Sequence, residues 1–416
     1  MKNAATRGQP RATAEIDSMI LGRAPHAVIL VGPGSVGKTT LALDLAAGLL
    51  CTDPDPGSRP CRVCRGCRQV ASGNHPDLHR LAPEGPGGQV RIGKATDPEP
   101  GTVRHLIGEL ALLAMEGGAR VAIVEQAHRL NEDAQNALLK MLEEPPPGVT
   151  IVLCADDEEC LLPTVRSRCV RVRLGAVGGR EIERWLGELG VADAPRAARL
   201  ARLADGRPGL ALAYARSVDA ERLRGEIARG ILDLLGAGRQ ARLATVRELM
   251  KSAAALDGAL NETRRVAARD EAGVASGPAR GRKGRAAKNA VADAADQPAA
   301  DEASADGAAP KLAAADRRAA AATLVSIWAS VGRDLAVAQV GGAKRIRELE
   351  LIDEIRGVAS GISPGSLSAF LSRLAAIAIQ LDENVSPELA LDVVALSWPR
   401  VEAIAASTAT AATATR

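Results

Sequence analysis

The chain has 416 residues, 46% of them hydrophobic, and a formal net charge of +3. That length and apolar content suffice for two or three buried cores, whereas so small a charge excludes diagnosing a nucleic-acid binder from composition. Its aromatic residues are Trp185, Tyr214, Trp328, Phe370 and Trp398 alone, so the cores must be built from Ala, Leu, Val and Ile, which favours helices. The opening "MKNAATRGQPRATAEID" has no apolar leader core, and no run of about 18 apolar residues follows. The expectation is a cytoplasmic protein without a membrane partner.

Taken in chain order, "AVILV" (Ala27 to Val31) predicts a short buried strand. It runs into "GPGSVGKT", Gly32 to Thr39, and then into the helical "TTLALDLAAGLL". A phosphate loop of the form G-x-x-x-x-G-K-[ST] needs this strand and helix context. Its glycines let backbone N–H groups close around phosphates, and the helix N-terminus adds a favourable dipole. Gly32, Gly34, Gly37, Lys38, Thr39 and Thr40 are therefore the candidate nucleotide-binding residues, with Lys38 on the β- and γ-phosphates of ATP and the Thr39 hydroxyl on Mg²⁺.

Cys51, Cys61, Cys64 and Cys67 follow as C-x9-C-x2-C-x2-C. Tight cysteine clusters in a chain without a secretory leader favour Zn²⁺ thiolate coordination over disulfides. Four thiolates close a tetrahedral shell, which makes the metal structural, and Arg59, Arg62, Arg65 and Arg68 are placed to offset its negative charge. His75 and His79 are not needed as ligands, since Pro76 between them argues against a shared helix face. Cys154, Cys160 and Cys169 lack metal spacing and read as core thiols.

A second strand, Val121 to Val124, is followed by Glu125, where a metal-associated carboxylate belongs in a nucleotide hydrolase. Gln126 stands where a catalytic carboxylate would be. An amide accepts no proton at neutral pH, so weak hydrolysis is expected. In "NEDAQNALLKMLEE", Ala134, Ala137, Leu138, Met141 and Leu142 hold the spacing of an amphipathic helix, with Asn131 as its cap and Pro145 to Pro147 ending it. "TIVLCA" and "CVRVRL" supply further strands. Strands alternating with helices imply a parallel sheet covered on both faces.

After about Leu174 the pattern turns helical. "REIERWLGELG" and "PRAARLARLADG" form a small helical unit ending near Tyr214, and Leu367, Phe370, Leu371, Leu374, Ala378 and Leu381 keep a later helical stripe. The stretch 269–310, basic and then acidic and with only Val274 and Val291 as bulky aliphatics, predicts a disordered insert. Residues 405–416 are a low-complexity tail.

"GQ" at Gly8-Gln9, "HAVILVGPGSVGKTTLA", the cysteine module, "QNALLKMLEEPPP" and "LLPTVRSRC", in that order, resemble bacterial DNA polymerase III clamp-loader subunits of the AAA+ class, the delta prime family above all. The resemblance spans about residues 8 to 174. "ENVSPELALDVVALSW" is similar to the family's last collar helices. It implies an α/β plus all-α fold: an AAA+ nucleotide-binding domain over 1–175 with the zinc module at about 51–67, a helical lid over 176–215 and a helical collar over 216–416. It further implies a subunit of a hetero-pentamer with tau/gamma and delta, which places a sliding clamp on primed DNA within a polymerase (nucleotidyltransferase) holoenzyme. Arg168 matches the family's arginine finger, offered in trans to a neighbour's ATP. Cys154-Ala155-Asp156 replaces the polar sensor of the motor subunits, and "GRPGLAL" lacks their lid arginine. With Gln126 these departures imply little or no intrinsic ATPase. The tau/gamma motor and a non-replicative AAA+ switch are the alternatives.

Overall fold

The computed structural model describes residues 1, 3–83, 90–116, 118–275, 313–382 and 385–399. From the N-terminus, α1 (Pro10–Leu21) leads to β1 (Ala27–Val31) and, across the glycine loop, to α2 (Lys38–Leu49). Then come α3 (Arg65–Ala71), β2 (Leu78–Leu81), α4 (Val103–Leu110), β3 (Arg120–Val124), α5 (Glu132–Glu143), β4 (Val149–Ala155), α6 (Pro163–Arg166) and β5 (Val170–Arg173). The rest of the described residues are mostly helical: α7 (Gly179–Glu188), α8 (Ala194–Ala204), α9 (Pro208–Arg216), α10 (Val218–Asp233), α11 (Arg239–Ala275), α12 (Ala314–Gln339), α13 (Ile352–Ala359), α14 (Pro364–Asp382) and α15 (Pro387–Leu396).

The strands form one parallel sheet in the order β2-β3-β4-β1-β5. Alternate strand residues feed two cores, as the pleat requires. Val28, Leu30, Val121, Ile123 and Val152 pack with α1 and α2, and Ala27, Ile29, Ala122, Val124, Ile151 and Leu153 with α4 and α5. The Asn131 side chain accepts the Ala134 N–H at 2.9 Å and starts α5, which ends before Pro145. Ala137 of the expected stripe is only half-buried, while Gln135 is buried.

Gln9 ties the two halves of the chain together. Its amide donates to Gly175 O at 2.7 Å and accepts from Gly175 N at 3.2 Å, fixing the entry to α1 against the strand that exits into the helical half. Beyond it, the buried side chains from Val177 to Trp398 form one continuous cluster, so the expected lid and collar share a core. Trp328 lies edge-on to Trp398 at 4.9 Å, and Phe370 to Trp398 at 4.4 Å. On α14 the inner face is Leu367, Phe370, Leu374, Ile377 and Leu381; Ala378, expected on that stripe, is exposed. By length and mean hydropathy alone, Ala314–Gln339 and Pro364–Leu381 would pass for membrane spans, yet they pack on each other in the helical core. Of the expected insert, residues 269–275 continue α11; the rest of it and the tail 405–416 lie outside the described residues.

Candidate nucleotide and metal sites

The glycine loop lies at the C-terminal end of β1. Gly37 takes the left-handed conformation (φ 106°) and caps α2, with Lys38 as the first helical residue. Among the described residues no side chain caps α2, so its first amides remain available to an anion, the arrangement that suits a phosphate. Thr39 and Thr40 are half-buried in that first turn. Lys38 itself is fully engaged: Nζ donates to Gly32 O at 2.6 Å, Pro33 O at 2.8 Å and Asp156 Oδ1 at 2.7 Å. A lysine ammonium has three donors, and all three are used.

Glu125 follows β3, but its carboxylate already has a cation. Arg80 of β2 donates to Glu125 Oε1 through Nε at 3.0 Å and Nη2 at 2.6 Å. Gln126 is exposed and left-handed (φ 51°). Burial, and then the Glu125 carboxylate, push the Cys154 thiol up to about 12, while Lys38 and Arg80 pull against that rise. The start of α9 closes the loop from above: Gly209 N donates to Ser35 O at 3.0 Å, and a Cβ on Gly209 would lie 3.1 Å from that oxygen. The close approach leaves little room for a side chain at Gly209. Arg207 Nε turns back to Ala204 O at 3.0 Å.

Arg168 lies apart from this site. Its Nη2 pairs with Glu143 Oε1 at 2.7 Å and its Nη1 donates to Thr164 O at 2.9 Å, partners on α5 and α6. The segment carrying it is held by Gln135, whose Nε2 donates to Leu130 O at 3.1 Å and Cys160 O at 3.2 Å and whose Oε1 accepts Leu162 N at 2.7 Å. Sequence reasoning missed Gln135, Arg80 and Glu143. A buried amide on an otherwise apolar helix face was the available signal for the first; nothing local marked the other two.

Cys51, Cys61, Cys64 and Cys67 place their sulfurs within 4.8 Å of one another, and the Cys51 to Cys64 separation is 3.8 Å. A tetrahedral zinc with Zn–S of about 2.3 Å spaces its sulfurs about 3.8 Å apart, so the donor set fits that metal. Cys64 N donates to Cys61 Sγ and Cys67 N to Cys64 Sγ, both at 3.3 Å. Burial works against the Cys64 thiolate, but hydrogen bonds from the Cys67 and Thr52 backbone outweigh it and bring the thiol to about 6. Burial pushes Cys51 and Cys67 upward. Three of the arginines expected to balance the cluster are committed elsewhere: Arg59 to Asp53 O, Arg62 to Asp44, and Arg65 to Glu116. His75 Nδ1 accepts the Asp77 N–H and His79 Nδ1 lies 3.8 Å from Glu109; neither is in the sulfur cluster. Cys154 is buried and Cys169 half-buried, but Cys160 is exposed and is not the core thiol expected of it.

A glycine loop feeding an uncapped helix in a parallel sheet, with a four-cysteine cluster beside it and a helical C-terminal half, defines a domain of the P-loop type. Residues 8–177 match the family model described as DNA polymerase III, delta subunit. The chain is 37% identical over 171 residues to DNA polymerase III subunit delta' of Pseudomonas aeruginosa, covering 41% of this chain and 49% of that protein. It is 36% identical over 192 residues to the delta' subunit of Escherichia coli, covering 46% and 55%. It is also 34% identical over 199 residues to the tau subunit of Escherichia coli, covering 47% and 29%. The chain thus spans about half the length of the delta' relatives that it matches, and over that part it is similar to bacterial DNA polymerase III subunits.

Proposed function

We propose that the chain is a delta prime type subunit of the DNA polymerase III clamp loader. In this reading it assembles with tau/gamma and delta subunits into a hetero-pentamer in the cytoplasm and helps to place a sliding clamp on primed DNA. The family-model match over residues 8–177, together with the identity to delta' relatives, carries the reading. The four cysteines hold a structural zinc, which supplies a rigid cross-link and no open coordination position. Gly32 to Thr40 receive ATP with Mg²⁺, which supplies binding energy to the assembly.

Hydrolysis by this chain is weak. Gln126 offers no general base, a lack that costs about 10²–10⁴ in rate, and Glu125 is drawn to Arg80 instead of a metal's water shell. The chain's chemical contribution is Arg168, which leaves Glu143 when a neighbouring subunit docks and stabilises charge on the phosphoryl group transferred there. In a complex reconstituted with motor subunits and clamp, Arg168→Ala is expected to lower steady-state ATPase by about tenfold or more while assembly persists. Unchanged turnover would remove the finger assignment. The similarity to tau supports a second reading, a motor subunit, for which the isolated chain would hydrolyse ATP robustly.

A further inference from the structure

We propose that Asp156 is a built-in anion of the phosphate loop, a carboxylate that holds Lys38 until a nucleoside triphosphate displaces it and that thereby sets this chain's affinity for ATP. The inference rests on Gly32 to Thr40 being a nucleotide site, and it concerns what competes for that site.

Asp156 is the first residue after β4, and the strand end and loop are stitched together by Gly32 N donating to Ala155 O at 3.2 Å. The Asp156 backbone is held in turn, its N–H donating to His128 Nδ1 at 3.2 Å. From that fixed point the carboxylate reaches over the loop. Oδ1 is 2.7 Å from Lys38 Nζ, and Oδ2 is 3.5 Å from where a Cβ on Gly34 would lie. The carboxylate therefore sits over the glycines whose amides would surround phosphate, on the cation that would bind it.

Two further features fit a competitor. Lys38 is 9% exposed in its side chain, so its charge cannot be satisfied by bulk water and needs an anion when no nucleotide is bound. Asp156 is 48% exposed, so it can swing into solvent without an uncompensated burial. Were it to stay in place, its charge would face the incoming phosphates, and like charges brought together in a recognition site oppose binding. A neutral residue at 156 would leave Lys38 with uncharged oxygen acceptors only, the Gly32 and Pro33 carbonyls and, in an Asn variant, an amide oxygen, all of which a phosphate outcompetes.

The test is isothermal titration of the full chain with Mg²⁺-ATP, comparing wild type, Asp156→Asn, Asp156→Ala, Lys38→Ala and the Asp156→Asn/Lys38→Ala double variant, each checked for folding by thermal melt. Both Asp156 variants are expected to bind about tenfold or more tightly than wild type, with the gain lost when Lys38 is also removed. Wild-type binding that depends on Lys38 but is unchanged or weakened in both Asp156 variants would overturn the inference and leave the nucleotide site standing. Absence of binding in every folded variant would overturn both.

Discussion

At Asp44 three parts of the N-terminal domain converge. Its buried carboxylate accepts the Ala5 N–H at 3.0 Å, the Thr6 N–H at 2.9 Å and the Thr6 hydroxyl at 2.7 Å, and it pairs with Arg62 of the cysteine module. One side chain on α2 thus secures the N-terminal segment and the cysteine cluster's loop together. Removing one partner of a buried, hydrogen-bonded ion pair typically costs about 3–5 kcal/mol, because the remaining donors lose their acceptor. Asp44→Ala should lower the urea midpoint correspondingly, and a change within error would show that the network is dispensable. In the sequence Asp44 is a lone acid within "LALDLAAGLL". Lys38 was legible because its function follows from local spacing. Asp44 and Asp156 were not, because their partners lie 38 and 118 residues away.

At the scale of elements, the cysteine module depends on its neighbours as much as on its spacing. Cys51 lies just beyond α2 and Cys67 in the first turn of α3, and α3 packs on α2 and approaches the long helix α11. A metal held there would fix α3 to the end of the phosphate-loop helix α2, and α3 in turn packs against α11. The purified chain should carry one zinc, and chelation should expose residues 51–73 to protease and lower the melting temperature. Zinc affinity should fall with falling pH, because protons compete for the thiolates. An undiminished melting temperature after complete zinc removal would refute a structural role. The four-cysteine spacing declared the module, whereas α1, α3, α4 and β2 carried no comparable signal. β2, "LHRL", is an edge strand with His79 and Arg80 between its leucines, so neither alternation nor an apolar run marks it.

At the scale of the molecule, the described residues form two cores in the sheet domain and a third in the helical half. The third is organised around Trp328, fully buried between α12 and its partners and edge-on to Trp398. Arg242 closes the same core, donating to Trp398 O at 2.9 Å from α11. Trp328→Ala should cost about 3–5 kcal/mol of stability, through lost burial and the cavity left behind. The loss should appear in a denaturant transition of the helical half before the sheet domain unfolds. A single unshifted transition would contradict that placement.

The sequence by itself determined the phosphate loop, the four-cysteine cluster, the parallel sheet and the helical character of most of the other described residues, because each depends on residue types at fixed short spacing or on local periodicity. Tertiary structure alone decided what those parts are bonded to: Lys38 to Asp156, Glu125 to Arg80, Arg168 to Glu143, and the start of α9 to Ser35. Those pairings follow from strand order and loop approach between residues distant in the chain, which no local pattern encodes. They also decide which charges in the site are available and which are already taken.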